Sequence, residues 1–319
     1  MTTPSPNYIG IDVSGTTFNA ALVGADGAVL QRREAALERD GVGAQAARAV
    51  SELREAAGGA GVAGVGVGVT GLVEPGTGRV VVSTDLPSLT RADLRAELSA
   101  ATGLGVVLEN DANAAAYGEF VAGAGRGSRN LFYVTIGTGV GGALILDGRL
   151  WRGDSGFAGE FGHITIDPEG VQCSCGNTGC LETVASGPNI VRRTQERLLR
   201  DSTSSLSRLG LKRDFTAADV AHAAQEGDDF ALMMLERTGR HIGQGLAAVI
   251  NLLNIERIVL GGVIMEAGEM ILSAVVREAG RRSFQPCFES TQIVAATLAR
   301  DSVPVGAAML ARDAGKTDS

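Results

Sequence analysis

The sequence predicts an α/β fold built from two similar domains. Its 319 residues exceed the length at which a single hydrophobic core usually keeps growing. Short apolar segments with strand character alternate with segments of helical spacing, which is the pattern of α/β proteins. A strand–turn–strand motif near residue 11 also returns near residue 134, which favours two domains that open in the same way.

The repeated motif consists of a strand, a glycine–threonine turn, a strand of small residues and an Asp-Gly turn. One copy runs from Ile11 to Gly27 and the other from Val134 to Gly148. The offset is 123 residues at the start, from Ile11 to Val134, and 121 at the end, from Gly27 to Gly148. The alternative is a chance resemblance between two glycine-rich hairpins.

We expect an N-terminal domain over residues 1–117 and a C-terminal domain over 118–302, with a final helix within 303–319 that packs back on the first. Alternating valine and glycine in Val62–Val69 indicate a buried strand that another backbone approaches closely. The serine-rich residues 200–214 are expected to form a loop. Helical spacing is found at about residues 41–57, 91–101, 111–121, 188–200, 216–225, 228–253 and 303–312.

Charge and composition restrict the possible partners. The chain carries 28 Lys and Arg against 36 Asp and Glu, a net charge of -8, which disfavours binding to nucleic acid or to an anionic membrane. No apolar run approaches the ~20 residues needed to cross a bilayer, and no secretory signal is recognisable at the start of the sequence. We therefore expect a cytoplasmic location.

The glycine–threonine turns suit phosphate binding. A tight turn after a strand offers convergent backbone N–H groups and hydroxyls to phosphate oxygens. Asp12, at the end of the first strand, could hold Mg²⁺ through water. A plain hairpin is the alternative for either turn alone, but the second turn and the Gly261-Gly262 pair after a later strand favour nucleotide binding. The candidate phosphate-binding residues are Thr16, Thr17, Thr138, Gly139, Gly141 and Gly142.

Two other nucleotide-binding patterns are poorly supported. The pattern Gly-x-x-x-x-Gly-Lys-Ser/Thr does not occur, which excludes a P-loop NTPase. The glycines of Gly64–Gly68 are not followed by the helix start of a dinucleotide-binding motif.

The carboxylate of Asp111 stands where a strand passes into a helix. It has two competing roles: an N-cap, where it accepts backbone N–H bonds, or a general base for a sugar hydroxyl with Asn110 as its hydrogen-bonding partner. A cap whose oxygens are satisfied by N–H groups is a poorer base, because those bonds stabilise the ionised form.

His163 and three cysteines form a candidate structural zinc site. Cys173, Cys175 and Cys180 lie within eight residues, and one His with three Cys makes a closed tetrahedral set for Zn²⁺. The alternative is three reduced cysteines and an unrelated histidine. We expect one structural zinc ion per chain.

Glu160 and Glu182 flank these ligands. Either could orient His163 or accept hydrogen bonds from sugar hydroxyls, and His163 is expected to bind zinc with one nitrogen and face the sugar with the other. Solvent exposure is the alternative for both glutamates.

Together these motifs resemble the ROK family, the bacterial sugar kinases and sugar-responsive repressors related to actin and hexokinase. The resemblance covers nearly all of the chain. It rests on Asp12–Thr17, Gly71, Asn110–Asn113, Thr135–Gly142, Glu160-x-Gly162-His163 and Cys173-x-Cys175-Gly176-x-x-Gly179-Cys180-x-Glu182.

The resemblance implies two RNase H-like (actin-like ATPase) domains with a cleft between them and an ATP-dependent hexose kinase, most often a glucokinase. It implies Asp111 as the catalytic base, Mg²⁺ with ATP, a dimerisation surface in the C-terminal domain and a homodimer or homotetramer. The implied sugar-binding residues are Gly71, Thr84, Asn110, Asp111, Glu160, His163 and Glu182. The implied nucleotide-binding residues are Asp12, Gly15, Thr16, Thr17, Thr138, Gly139, Gly141, Gly142, Gly261 and Gly262, and the implied zinc ligands are His163, Cys173, Cys175 and Cys180.

The chain departs from the family pattern in its first turn and near residue 85. Ser14 replaces a glycine, Thr17 a lysine, and Asp85 an asparagine of many members, which leaves the sugar less certain than the reaction. N-acetylmannosamine, N-acetylglucosamine, fructose and allose are alternative substrates. A sugar-sensing regulator without catalysis is a further alternative, disfavoured because only eleven residues precede Asp12 and family repressors carry a helix-turn-helix there.

Overall fold

The computed structural model describes residues 5–74, 77–83, 85–199, 203–210 and 213–317. The strands are β1 (Asn7–Val13), β2 (Thr17–Val23), β3 (Val29–Ala36), β4 (Val62–Val69), β5 (Leu72–Val73), β6 (Val80–Val82), β7 (Val106–Asn110), β8 (Leu131–Ile136), β9 (Val140–Leu146), β10 (Arg149–Trp151), β11 (Arg257–Gly261) and β12 (Gln292–Ala295). The helices are α1 (Val42–Ala57), α2 (Leu94–Thr102), α3 (Asp111–Ala122), α4 (Glu182–Ala185), α5 (Gly187–Leu198), α6 (Ser205–Gly210), α7 (Ala217–Gln225), α8 (Asp229–Leu253), α9 (Glu269–Arg282), α10 (Gln285–Glu289) and α11 (Ser302–Thr317). None of the helices in these ranges combines the length and apolar character needed to span a bilayer.

The two larger sheets have the same strand order. The first is β3-β2-β1-β4-β7 and the second is β10-β9-β8-β11-β12. In each sheet, three consecutive strands lie side by side in reverse chain order. Two later strands of the chain then follow next to the earliest of the three. The added strands β4, β7 and β12 are parallel to their neighbours. This matching order confirms the repeat that the sequence predicts.

The chain divides into two compact units. The first unit comprises the described residues up to 131, residues 143–158 and those from 296 onward; the second unit comprises residues 132–142 and 159–295. The sequence-based bounds, 1–117 and 118–302, remain a prediction about which parts form domains.

Strands β1 and β4 of the first sheet are buried on both faces, and the two faces differ in residue size. Ile9, Ile11 and Val13 of β1 are fully buried in one core, with the apolar side chains of α1 and α2. On the other face the strands carry glycine: a Cβ on Gly10 would lie 1.7 Å from the carbonyl oxygen of Pro304, and one on Gly66 1.9 Å from that of Ala307. The backbone of α11 therefore rests directly on β1 and β4, which explains the valine–glycine alternation.

Helix α2 begins later than the sequence predicts. The predicted helix covers 91–101, whereas α2 starts at Leu94. Asp93 is the N-cap, since its Oδ1 accepts a hydrogen bond from Ala96 N at 3.1 Å. Arg91 has φ 64°, which is incompatible with a right-handed helix.

The loop prediction for residues 200–214 is wrong within the described part of that segment. Helix α6 lies there, and Asp228 holds its start: Oδ2 accepts hydrogen bonds from Ser205 N at 2.7 Å and Ser204 Oγ at 2.8 Å. The serines that suggested a loop thus anchor the start of a short helix.

Candidate active site and metal centre

Asp12 is the penultimate residue of β1, in the first unit. Its neighbour on β4 is Gly68 and its neighbour on β2 is Asn19. Oδ1 accepts hydrogen bonds from the Ser14 backbone N at 2.9 Å and the Ser14 hydroxyl at 2.5 Å. Burial raises the pKa of Asp12 to about 6, although both bonds from Ser14 act to lower it. Ser14 is therefore a structural partner of Asp12, which gives this departure from the family pattern a physical role.

The turn after β1 presents hydroxyls to solvent. Gly15 has φ 74°, which favours glycine. Thr16 and Thr17 are exposed, and the Thr16 carbonyl accepts a hydrogen bond from Leu37 N at 3.1 Å. The turn is thus fixed by its backbone while its two threonine side chains are accessible.

The N-cap of α3 is Asn110, so the interpretation of Asp111 as the cap is wrong. Asn110 Oδ1 accepts from Asn113 N at 3.1 Å, and Asn110 has an extended conformation with φ −62° and ψ 143°. Asp111 occupies the first helical position. Its Oδ1 accepts from Ala112 N at 2.9 Å and from Asn110 Nδ2 at 3.1 Å. Asn110 therefore serves as the hydrogen-bonding partner that the sequence predicts for Asp111.

The pKa of the partly buried Asp111 carboxyl lies close to neutral pH. Burial raises the pKa of Asp111 to about 7, and the carboxylates of Asp12 and Asp85 raise it further against the bond from Ala112. A Cβ on Gly68, the strand neighbour of Asp12, would lie 3.6 Å from Asp111 Cα, so the absence of a side chain there leaves the two carboxyl-bearing segments close. A carboxyl with this pKa can accept a proton at physiological pH.

Gly71 is brought to the same place as Asn110. Its carbonyl accepts from Asn110 Nδ2 at 3.0 Å. It has φ 116°, and a Cβ there would lie 2.3 Å from the carbonyl oxygen of Val82, so only glycine fits. Thr84, the remaining sugar-binding candidate of this region, lies outside the described residues. The structure thus groups Gly71, Asn110, Asp111 and Asp12 at the ends of β4, β7 and β1.

An ion pair between the buried Glu109 and the partly exposed Arg152 was not predicted. Glu109 is 6% exposed, and its Oε2 accepts from Arg152 Nε at 2.8 Å and Nη2 at 2.6 Å. Its Oε1 accepts from Asn110 N and from Asn113 Nδ2, both at 3.0 Å. Glu109 belonged to the quoted Glu-Asn-Asp-Ala-Asn motif, but nothing local to that motif indicates an arginine 43 residues later.

The second glycine–threonine turn lies in the second unit. Thr138 is exposed, and the turn is closed by Gly137 N donating to Gly139 O at 2.9 Å. Glu182 Oε2 accepts from Val140 N at 2.9 Å. Gly141, one residue further along β9, is partly buried. The turn therefore exposes a hydroxyl, as the first turn does, and has a carboxylate behind it.

Glycine is required by packing at three other nucleotide-binding candidates. A Cβ on Gly142 would lie 2.7 Å from Gly159 O, and one on Gly261 2.3 Å from the Tyr133 hydroxyl oxygen. Gly262 has φ 86°, and its Cβ would lie 2.3 Å from Ile136 O. Close backbone packing accounts for these glycines, so contact with a nucleotide remains a prediction.

The four predicted zinc ligands are brought together and could hold a metal ion. The ligand atoms of His163, Cys173, Cys175 and Cys180 all lie within 4.8 Å of one another. Cys173 Sγ is 3.7 Å from His163 Nδ1, and Cys175 Sγ is 3.7 Å from Cys180 Sγ. Burial raises the pKa of Cys180 to about 12, whereas the N–H of Asn177 lowers the pKa of the exposed Cys175. A bound cation would favour the thiolate form of all three cysteines.

Tight backbone packing positions the ligand loop. Gly179 has φ 70°, and a Cβ there would lie 1.5 Å from the carbonyl oxygen of Asp167. Leu181 N donates to Ile164 O at 3.0 Å, which ties the last ligand to the segment after His163. The short 3₁₀ helix Phe161–His163 carries the histidine itself. Main-chain contacts thus bring together ligands that are distant in the sequence.

Glu160 lies near His163 and senses the charge of Glu182. Glu160 is exposed, and its Oε2 lies 3.7 Å from His163 Nε2, beyond hydrogen-bond length. Partial desolvation raises the pKa of Glu160, and the charge of Glu182 adds to this effect while His163 opposes it. His163 therefore directs Nδ1 to Cys173 and Nε2 toward Glu160.

Comparison with known proteins agrees with the geometry. A model of the ROK family matches residues 8–314. The chain belongs to the ROK family. The glucokinase of Thermotoga maritima is 36% identical over 314 residues, covering 97% of this chain and 98% of that protein.

Solved ROK structures share the fold. A ROK family glucokinase from Streptomyces griseus, in complex with glucose and AMPPNP, has a TM-score of 0.85 and 33% identity, covering 96% of this chain and 99% of that one. A ROK family transcriptional regulator, a homologue of the E. coli MLC protein, has a TM-score of 0.87 and 29% identity, covering 97% of this chain and 78% of that one. The predicted fold class, α/β with two actin-like ATPase domains, is confirmed.

Proposed function

We propose that the protein is a sugar kinase that transfers the γ-phosphoryl group of ATP to a hexose, with glucose as the preferred acceptor. The observation that carries the proposal is the place of Asp111, which begins α3 directly after β7 and accepts a hydrogen bond from Asn110. Burial and the charge of Asp12 raise its pKa to about 7. General bases work best when their pKa lies near the working pH. Full-length relatives named glucokinase support the choice of substrate.

In the proposed reaction Asp111 accepts the proton of the attacking sugar hydroxyl. The hydroxyl oxygen forms a bond to the γ-phosphorus, and the bond from that phosphorus to the bridging oxygen breaks. The electron pair leaves with ADP, and the products are a hexose phosphate, ADP and the proton held on Asp111. Asn110, which donates to Asp111 Oδ1, leaves Oδ2 to face the hydroxyl.

Nucleotide binding is assigned to both glycine–threonine turns. Mg²⁺ bound with ATP would neutralise charge on the phosphates, and Asp12 is the residue that would hold it through water. The turn residues in question are Gly15, Thr16, Thr17, Thr138, Gly139, Gly141 and Gly142, and Gly261 and Gly262 are assigned to the adenosine. Exposed hydroxyls at Thr16, Thr17 and Thr138 support this assignment.

The four-residue metal centre is assigned to one structural zinc ion. With Zn–S bonds of about 2.3 Å and Zn–N bonds of about 2.0–2.1 Å, tetrahedral coordination puts ligand atoms roughly 3.5–3.8 Å apart. The two separations of 3.7 Å fit that geometry. Four protein ligands leave no open position, so the ion would stabilise the loop and take no part in phosphoryl transfer.

The residues that we assign to sugar recognition are Gly71, Thr84, Asn110, Asp111, Glu160, His163 and Glu182. N-acetylmannosamine, N-acetylglucosamine, fructose and allose remain alternative acceptors.

A panel of these hexoses in an assay of ADP release tests the proposal. We expect turnover of ATP·Mg²⁺ only when a sugar is present, with the highest kcat/KM for glucose. Asp111→Asn keeps the size of the side chain and should lower kcat by about 10²–10⁴ while sugar affinity changes little. Asp40→Asn, at an exposed position, is the matched control and should behave as wild type. Normal turnover in Asp111→Asn would show that the base has been misassigned.

A sugar-sensing regulator is the second candidate, because the chain is also similar to a ROK family transcriptional regulator. A regulator needs sugar binding without turnover. Calorimetric binding of glucose with no release of ADP from ATP would favour this candidate over the kinase.

We further propose a homodimer or homotetramer working in the cytoplasm. None of the four cysteines forms a disulfide, which fits a reducing compartment. Leu252 and Phe284 are 83% and 69% exposed, and Phe284 N donates to Asn251 Oδ1 at 2.7 Å, so two large apolar side chains lie on one surface of the C-terminal part. Light scattering on the purified chain would measure the assembly.

A further inference from the structure

A chain of hydrogen bonds connects Arg152 to Asp111. It donates twice to Glu109 Oε2, from Nε at 2.8 Å and from Nη2 at 2.6 Å. This leaves Glu109 Oε1 free of the arginine, and that oxygen accepts from Asn110 N and Asn113 Nδ2 at 3.0 Å each. The two acceptor roles of the carboxylate are therefore divided between its oxygens.

The residues that Glu109 holds lie on either side of Asp111. Asn110 precedes it, caps α3, and donates through Nδ2 to Asp111 Oδ1 at 3.1 Å. Asn113 donates its backbone N–H to the cap at 3.1 Å and is 3% exposed. The orientation of Asp111 thus depends on a carboxylate whose own rotamer is set by an arginine.

Arg152 approaches this network from elsewhere in the chain. It follows β10, whereas Glu109 belongs to β7, and both residues are in the first unit. Ala158 N donates to the Arg152 carbonyl at 2.9 Å, and Gly153 has φ 73°, so a tight turn fixes the arginine backbone. The side chain of Arg152 is 35% exposed, so the ion pair is partly accessible to solvent.

We propose that Arg152 is a positioning residue for the base, aligning Asp111 with the sugar hydroxyl through Glu109, Asn110 and Asn113. This inference rests on the proposed kinase function. Arg152 need not touch the sugar or the nucleotide for this role. Its loss should therefore affect the chemical step more than binding.

Charge gives a second readout that packing alone would not provide. The charged groups that act on Asp111 include Asp12 on β1 and Asp85 after β6. The Glu109–Arg152 pair is connected to Asp111 through Asn110. Removing Arg152 leaves a buried carboxylate without its cation, which raises the pKa of Asp111. Replacing Glu109 by glutamine in the variant that lacks Arg152 removes the negative charge and keeps an acceptor oxygen for Asn110 and Asn113.

The test compares Arg152→Ala, Arg152→Lys and the double variant Arg152→Ala/Glu109→Gln in the full chain. For Arg152→Ala we expect kcat to fall roughly tenfold with the sugar dissociation constant nearly unchanged. The acid limb of its pH–rate profile should move up by about half a pH unit or more. Arg152→Lys should recover part of kcat, and the double variant should return the limb to its wild-type position.

Arg33→Ala is the matched control, since Arg33 pairs with Glu52 at 2.9 Å on the surface of the same unit. A lowered melting temperature with kcat and the pH limb of wild type would make Arg152 merely structural and overturn the inference. If Arg152→Ala does not fold, a wild-type kcat in Arg152→Lys would overturn it equally, because lysine keeps the positive charge but not the paired Nε and Nη2 donors that orient Glu109. A wild-type protein without sugar-dependent ADP release would instead refute the proposed function, and the inference with it.

Discussion

The side-chain oxygen Oε2 of Glu182 accepts a hydrogen bond from the backbone N–H of Val140 at 2.9 Å. This contact joins Glu182, two residues after the last cysteine ligand, to the second glycine–threonine turn. Gly139 makes the approach possible, because a Cβ there would lie 2.8 Å from the same oxygen. The metal-centre loop and a proposed phosphate-binding turn are thus mechanically connected within the second unit.

Replacing Glu182 should therefore weaken the use of both substrates. Glu182→Ala removes the acceptor for the buried Val140 N–H, which costs about 1–3 kcal/mol, and loosens the turn. We expect KM for ATP and for the sugar to rise together. Glu182→Gln retains an acceptor oxygen and should keep KM for ATP near the wild-type value while KM for the sugar rises. Steady-state kinetics with each substrate varied in turn would measure this, and a wild-type KM for ATP in Glu182→Ala would contradict it.

The pH dependence of turnover should report Asp111. The base works when deprotonated, so kcat/KM for the sugar should rise with pH and level off above about 7. Asp12 and Asp85 both raise this pKa, Asp12 more strongly. Asp85→Asn should therefore move the acid limb slightly to lower pH and Asp12→Asn should move it further, whatever happens to the absolute rate. If the acid limb does not move in either variant, a group other than Asp111 controls it.

The same carboxyl should lower stability at neutral pH. The pKa of Asp111 rises from 3.8 to about 7 on folding, so the folded state holds its proton more tightly than the unfolded state. The contribution of Asp111 to wild-type stability should then fall as pH increases from about 4 to about 7. Asp111→Asn cannot ionise and should gain stability over wild type across this range, on the order of 2 kcal/mol after allowance for partial exposure. Urea unfolding at pH 4 and pH 8 would measure it, with Asp40→Asn showing no such gain.

Two glycines of the metal loop offer a matched pair of substitutions. Gly179→Ala would place a Cβ 1.5 Å from Asp167 O, whereas Gly176→Ala meets nothing within 4 Å, although both glycines have positive φ. We expect Gly176→Ala to keep about one zinc per chain, since it pays only backbone strain of roughly 1–2 kcal/mol. Gly179→Ala should lose most of its zinc on dialysis. Elemental analysis would decide, and equal zinc contents would show that the loop does not depend on this contact.

Glu119 should be among the most sensitive positions for stability. It is fully buried in α3, and its oxygens accept hydrogen bonds from Ala124 N, Thr297 N, Leu298 N and Ser302 Oγ at 2.8–3.1 Å. Glu119→Gln presents an amide to donors that need an acceptor and should lower the free energy of unfolding by about 3 kcal/mol. Chemical denaturation would measure this against the exposed control Glu55→Gln, which should be neutral. A loss below about 1 kcal/mol would contradict the role of Glu119.

Local patterns predicted the parts of the structure that depend on local residues. The two hairpins, the helix after Asn110 and the metal-ligand cluster all follow from short motifs and periodicity. The position of the N-cap was wrong by one residue, because Asn110 and Asp111 are both good capping residues and only the backbone decides between them.

Long-range polar contacts escaped prediction for a different reason. Glu109 pairs with an arginine 43 residues away, and Glu119 binds groups 178 to 183 residues away. In a sequence, a glutamate within a helix or at a strand end is most often a solvated residue. Ser14 was noted only as a departure, since its hydrogen bonds to Asp12 depend on the shape of the turn.

The contact of α11 with β1 has a consequence for synthesis of the protein. About 290 residues separate Val13 from Ser302, so a ribosome translating this chain at roughly 5–20 residues per second completes β1 well before α11 exists. During that interval the glycine-bearing face of the first sheet remains uncovered and open to association with other nascent chains. We expect this face to make the growing polypeptide depend on chaperones until its last helix emerges.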